Sequence, residues 1–129
     1  MKIYEELRKR YEGIEEYSME SGDWEDAGVE AYKAGNYLKA VEEFQRVIVS
    51  IPDHYNAYEM CSYALYKSGE RKKAVGYLEE GLEIAKSYHC ESEILEEVLE
   101  EVVEDMERSL KGMKKGEELD TEYIEEIME

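Results

Sequence analysis

Apolar residues along this chain fall at helical spacing, and the helical stretches themselves repeat. From residue 21 to residue 52 the sequence reads SGDWEDAGVEAYKAGNYLKAVEEFQRVIVSIP, and residues 55–86 follow the same plan. Gly35 returns as Gly69, Ala40 as Ala74, Val41 as Val75 and Ile48 as Leu82, each thirty-four residues on. A fixed period of that length marks a unit of two helices joined by a tight turn. The pattern predicts helices over about residues 23–34, 37–50, 53–68 and 71–88. Short turns between them imply antiparallel neighbours. Alternating runs of β-branched residues are scarce, so the chain is expected to be all-α.

The residue types have physical reasons. Trp24 and Tyr58 open the first helix of each unit as large anchors. Gly28 and Ser62 are small, which lets a neighbouring helix come close. Gly35 and Gly69 fall where the first helix should stop, because glycine tolerates a left-handed backbone. Ala40 and Ala74 are small contacts on the second helix, followed one turn on by Phe44 and Leu78. Pro52 prevents the second helix from running further. Ser21 or Asp23 is the expected cap of the first repeat helix, and Asp53 that of the third.

The flanks carry other patterns. Ile3, Leu7, Tyr11 and Ile14 predict a helix over residues 2–17. Tyr4, Leu7, Tyr11 and Ile14 align with Tyr37, Ala40, Phe44 and Val47, so residues 1–20 read as an N-terminal helix, a half repeat beside the first full unit. Ile94, Leu95, Val98, Leu99, Val102, Val103, Met106 and Leu110 form one apolar stripe backed by glutamates. That fits a capping helix closing the stack within residues 89–110. Residues 111–119 contain two glycines and mixed charge and read as a flexible linker. In residues 120–129, Asp120 is a natural N-cap, and Leu119 with Ile124 has the spacing of a hydrophobic staple.

Trp24-x2-Ala27-Gly28, then Ala40-x3-Phe44 and Pro52, resembles the tetratricopeptide repeat. The second unit has Tyr58-x2-Cys61-Ser62 and Ala74-x3-Leu78, with Lys86 where a proline is usual. Ala31 and Leu65 stand where the family often has a tyrosine. The resemblance covers residues 21–54 and 55–88, about half the chain. It implies a helix-turn-helix α-solenoid and a non-enzymatic scaffold or adaptor for protein–protein interaction. In this family the first helices of the units line a concave groove. The groove would then carry Glu25, Val29, Tyr32, Lys33, Asn56, Glu59, Tyr63, Tyr66 and Lys67. Tyrosine offers contact area at little entropy cost, and Asn56 can bond a peptide backbone. Some members clamp a chaperone's C-terminal carboxylate with lysine and asparagine. The matching places here hold Glu25, Val29, Met60, Cys90 and Ile94, so that clamp is not expected.

Charge narrows the partner. The formal net charge is −18 over 129 residues. Such a surface repels phosphate backbones and anionic membranes, so neither nucleic acid nor membrane is an expected partner. A basic protein or peptide is. Residues 1–7 already include two glutamates, which does not suit a signal peptide, and no apolar run is long enough to span a bilayer. Cys61 and Cys90 form no CxxC pair, and a cytoplasmic, reducing setting is expected.

Candidate chemistry is sparse. Glu96, Glu97, Glu100, Glu101 and Glu104 read as the solvated face of one helix, since a carboxylate-bridged metal pair would need Glu-x-x-His elements that the sequence lacks. His54 and His89 lie at unit junctions. His89, Cys90 and Glu91 are adjacent and point different ways, unlike a structural zinc set. No Gly-rich phosphate loop or activated nucleophile is apparent. The expectation is therefore no enzyme, no metal and no cofactor. The alternative to a peptide groove is a structural homo-oligomer, a homodimer joined through the 91–110 stripe or the C-terminal helix; Tyr123, Ile124, Ile127 and Met128 of that helix could also fill the groove, in cis or from a neighbouring chain.

Overall fold

Two left-handed glycines set the shape of the repeats. The computed structural model describes residues 2–88 and 90–129. Among these the helices are α1 (Lys2–Arg10), α2 (Ser21–Lys33), α3 (Tyr37–Ser50), α4 (Tyr55–Lys67), α5 (Arg71–Ser87), α6 (Glu93–Lys115) and α7 (Thr121–Ile127). Helices α2 and α4 start and end thirty-four residues apart, and α3 and α5 start thirty-four apart. Gly35 and Gly69 have φ of 80° and 94°. In each turn two N–H groups fold back onto orphan helix carbonyls. Asn36 donates to the Ala31 carbonyl at 2.8 Å and Gly35 to Tyr32 at 3.0 Å; Glu70 donates to Leu65 at 2.9 Å and Gly69 to Tyr66 at 3.1 Å. This is the six-to-one closure that a left-handed residue permits.

The architecture is an all-α helical repeat: pairs α2–α3 and α4–α5, an N-terminal helix, and a C-terminal capping helix. Ala40, Ala74, Phe44 and Leu78 are fully buried at the contacts that their spacing predicts. A side chain at residue 28 would put its Cβ 2.6 Å from the Phe44 ring, so only glycine lets α2 and α3 pack this closely. Gly81 does a similar service for α5, where a Cβ would meet Tyr58 at 2.9 Å and the Tyr55 carbonyl at 3.1 Å.

Several boundaries differ from the sequence reading. The first helix ends at Arg10 instead of Tyr17. Gly13 turns left-handed, and residues 14–20 run along the end of α3. There the Tyr17 and Ser18 amides donate to the backbone carbonyl and the hydroxyl of buried Ser50, at 2.8 and 3.0 Å. Leu7 is still buried, and α1 packs on α3. Neither Ser21 nor Asp23 caps α2, since Ser21 is itself helical and Glu20 precedes it without a side-chain bond. Asp53 does not cap α4 either; His54 occupies that place. Asn36 caps α3, accepting from the Lys39 amide. The capping helix runs on to Lys115, so half of the expected 111–119 linker is helical. It ends at left-handed Gly116, and only residues 116–120 join it to α7. Asp120 caps α7 by accepting from the Tyr123 amide at 3.1 Å.

Candidate partner-binding groove

Helices α2 and α4, the first helices of their repeats, line a common channel, and α7 folds back into it. Its apolar side chains point into the channel. Ile124 is 2% and Met128 3% exposed, while Tyr123 and Ile127 are half-buried. Leu119, ahead of the cap, is half-buried and lines the same channel as Ile124, as the staple predicts. Open space remains on either flank. A cavity of about 460 Å³ lies among Tyr32, Tyr37, Lys67, Leu119, Ile124 and Met128. Another of about 410 Å³ lies among Val29, Asn56, Met60, Ile127 and neighbouring acids.

Glu59 is the polar centre of this contact. It is 1% exposed, yet Tyr63 and Tyr123 both donate their hydroxyls to its Oε2, at 2.7 and 2.5 Å. The Ser109 hydroxyl on α6 lies 3.1 Å from the Tyr63 oxygen. Since the Tyr63 proton goes to Glu59, Ser109 is the donor there. The two tyrosine rings meet edge to face with centroids 6.5 Å apart. Burial pushes the Glu59 carboxyl above its ordinary range; the two phenols pull it back, and Asp105 pushes it up further. Its other oxygen, Oε1, has no hydrogen-bond partner.

The remaining residues named from the sequence divide by place. Tyr66 donates to the Glu117 carbonyl at 2.6 Å and so ties α4 to the turn before α7; the Arg71 guanidinium sits over its ring. Tyr32 packs edge-on against Tyr37, and burial raises its phenol to about 12. Lys33 and Lys67 are exposed at the rim. Glu25 pairs with His54 at 3.2 Å, next to Asn56 and Val29 at the far end. All nine residues lie on α2 and α4, but Glu59 and Tyr63 are buried beneath α7 and α6 instead of lining an open surface. Sequence reasoning missed Tyr37 and Ser109. Glu59-x3-Tyr63, one helical turn apart, was the available sign of a buried acid–phenol pair.

Elsewhere the chemistry is quiet. Cys61 is fully buried, its thiol 3.8 Å from the Val41 carbonyl, and burial raises its pKa. Among the described residues no group of His, Cys, Asp and Glu is placed to hold a metal ion. His89 of the His89-Cys90-Glu91 triplet lies outside them. No described helix is long and apolar enough to cross a membrane.

An 80-residue stretch is 30% identical to the tetratricopeptide repeat-containing protein trd-1 of Caenorhabditis elegans. The match takes in 62% of this chain and 10% of that protein. The chain thus spans about a tenth of the length of the curated relative it matches. No family model and no solved structure matches. This partial likeness supports a relationship to tetratricopeptide repeats.

Proposed function

We propose that the chain is a non-enzymatic protein-interaction module that receives a partner segment across α2 and α4. One observation carries this reading: the face already holds a helix, with Ile124 and Met128 of α7 buried in it. A channel that seats one amphipathic helix has the shape and apolar lining to seat another. The helical-repeat fold and the repeat-bearing relative agree with an interaction role.

The test uses the full chain carrying Ile124→Asp, which places a charge in the channel and favours release of α7. A fluorescent peptide of residues 117–129 should bind it saturably, one to one. Adding Val29→Glu on the channel wall should weaken that binding. No saturable binding to the released chain would sink the reading.

A second reading is favoured by Ile94, Leu95 and Val98, which are 73%, 59% and 53% exposed in one row on α6. The occupant would be the same row of a second copy, making a homodimer. Light scattering at rising concentration tests it: a mass that stays at one chain removes it, and a dimer abolished by Leu95→Glu supports it.

A further inference from the structure

The helix that fills the groove is electrostatically mismatched to it. Residues 120–129 contain Asp120, Glu122, Glu125, Glu126 and Glu129 and no lysine or arginine. The channel flank brings Glu25, Asp26 and Glu30 near Glu129, whereas Glu125 shares its cavity wall with Lys33 and Lys67. Among the described residues, none of the three α7 glutamates nor Glu129 is in an ion pair. Apolar anchors and the tyrosine hydroxyl hold α7 down while the charge of Glu129 opposes the fit. A helix of seven residues has little stability of its own, so it depends on the groove to stay folded. Beneath α7, Glu59 Oε1 is buried without a hydrogen-bond partner.

We infer that α7 is a displaceable placeholder, and that the groove's intended occupant is a basic amphipathic helix. That helix would present a hydroxyl or cationic donor to Glu59 and aliphatic anchors where Ile124 and Met128 sit. It would carry lysine or arginine where Glu129 meets the acids of the channel flank, and keep an acid where Glu125 lies beside Lys33 and Lys67. This deepens the groove reading above and rests on it. The chemistry follows from complementarity: the same apolar contacts with the opposite charge at that end remove the repulsion from Glu25, Asp26 and Glu30 and add attraction. The short 116–120 connection keeps α7 at high local concentration, so an occupant must out-compete a tethered rival. Affinity for a free groove therefore exceeds affinity for the resting chain.

The probes are three peptides: residues 117–129 as they stand; the same made more basic by Glu126→Lys and Glu129→Lys; and a scramble of that basic peptide. The proteins are the full chain and its Ile124→Asp variant, with circular dichroism as the fold check. If the variant loses its helicity, the milder full-chain double variant Tyr123→Phe with Met128→Gln replaces it. The basic peptide should bind the released chain about tenfold more tightly than the native peptide, as several exposed charge contacts allow. That advantage should shrink as salt rises. On the unsubstituted chain it should bind more weakly, and at saturation hydrogen exchange of residues 121–128 should speed up. Equal binding of basic and scrambled peptides would mean adsorption to the acidic surface and overturn the inference. So would slow α7 exchange at saturation. A native peptide that binds as tightly as the basic one overturns the charge preference and leaves the groove reading standing. If neither binds a chain whose α7 exchanges freely, the groove reading falls with it.

Discussion

Glu25 and Glu59 occupy the same position in successive repeats, thirty-four residues apart, and behave in opposite ways. Glu25 on α2 keeps partial contact with water, and the hydrogen bond from His54 holds its carboxyl below the ordinary range. Glu59 on α4 is sealed beneath α7, and burial raises it. The same contrast runs along both helices. In α2 only Gly28 and Ala31 are buried, whereas in α4 every residue from Ala57 to Leu65 is. The amino-acid type did not decide this; the place in the stack did. Helix α4 has α3, α5 and α7 around it, while α2 stands at the edge. Repeat position tells which side a residue faces, and stack position tells how much of that side is wet.

The largest test of this contrast is at the anchors. Tyr58 is fully buried and its counterpart Trp24 half-buried. Tyr58→Ala should cost about 3–5 kcal/mol, the usual range for a lost core aromatic. Trp24→Ala should cost about 2 kcal/mol, as for incomplete burial. Urea midpoints of the two variants check the order, and equal losses would break the comparison. Next comes the small-residue pair. Gly28→Ala drives a methyl against the Phe44 ring and should cost about 1–3 kcal/mol. Ser62→Ala removes only a hydroxyl bonded within its own helix and should cost about 1 kcal/mol or less.

These contrasts also mark what was legible in the sequence. The period, the glycine turns, the alanine contacts and the Asp120 cap are local or strictly repeated signals, and each stands where the residues implied. The docking of α7 is not of that kind. Tyr123 meets Glu59 across sixty-four residues, and the meeting depends on where α6 stops and how residues 116–120 turn. Gly112 weakens the helix, but Lys111, Met113 and Lys114 are good helix formers, and the helix runs through the expected linker to Gly116. In the same way Gly13 outweighs the apolar spacing of Tyr11 and Ile14 and ends α1 early. The nine groove positions could be assigned to α2 and α4 from the repeat. Their burial could not, because it is set by a segment outside the repeat.

The buried carboxyl gives a test of sign. A carboxyl raised in the folded state contributes stability that is fully present below its unfolded value. That contribution is lost as pH rises through the folded value. Glu59→Gln is neutral throughout and can still accept from Tyr63 and Tyr123. It should therefore stabilise the chain at pH 8 by on the order of 1 kcal/mol, since the buried charge is gone, while the amide NH2 takes the place of the unpartnered oxygen. The gain should fade on acidification toward the ordinary glutamate range. A Glu59→Gln variant that is less stable at pH 8 than at pH 5, relative to the unsubstituted chain, would show that the phenols favour the charge more than burial opposes it.

The smallest expected effect is at Glu25, and its value lies in its direction. Its carboxyl is lowered, first through the hydrogen bond with His54, so its contribution is present above the unfolded value and lost as pH falls through the folded one. The side chain remains 35% exposed, and solvent screening keeps such a pair to a few tenths of a kcal/mol, about what surface ion pairs give. Glu25→Gln should therefore destabilise slightly at pH 7, and the difference should vanish on acidification below the ordinary glutamate range. The two substitutions are the same chemical change at the same repeat position. Their stability differences from the parent chain should nevertheless have opposite signs at neutral pH and converge from opposite sides in acid. Paired urea titrations at several pH values would show this without depending on absolute stability. If both variants shift the same way, the repeat position governs these carboxyls, and the cover supplied by α7 does not distinguish α4 from α2.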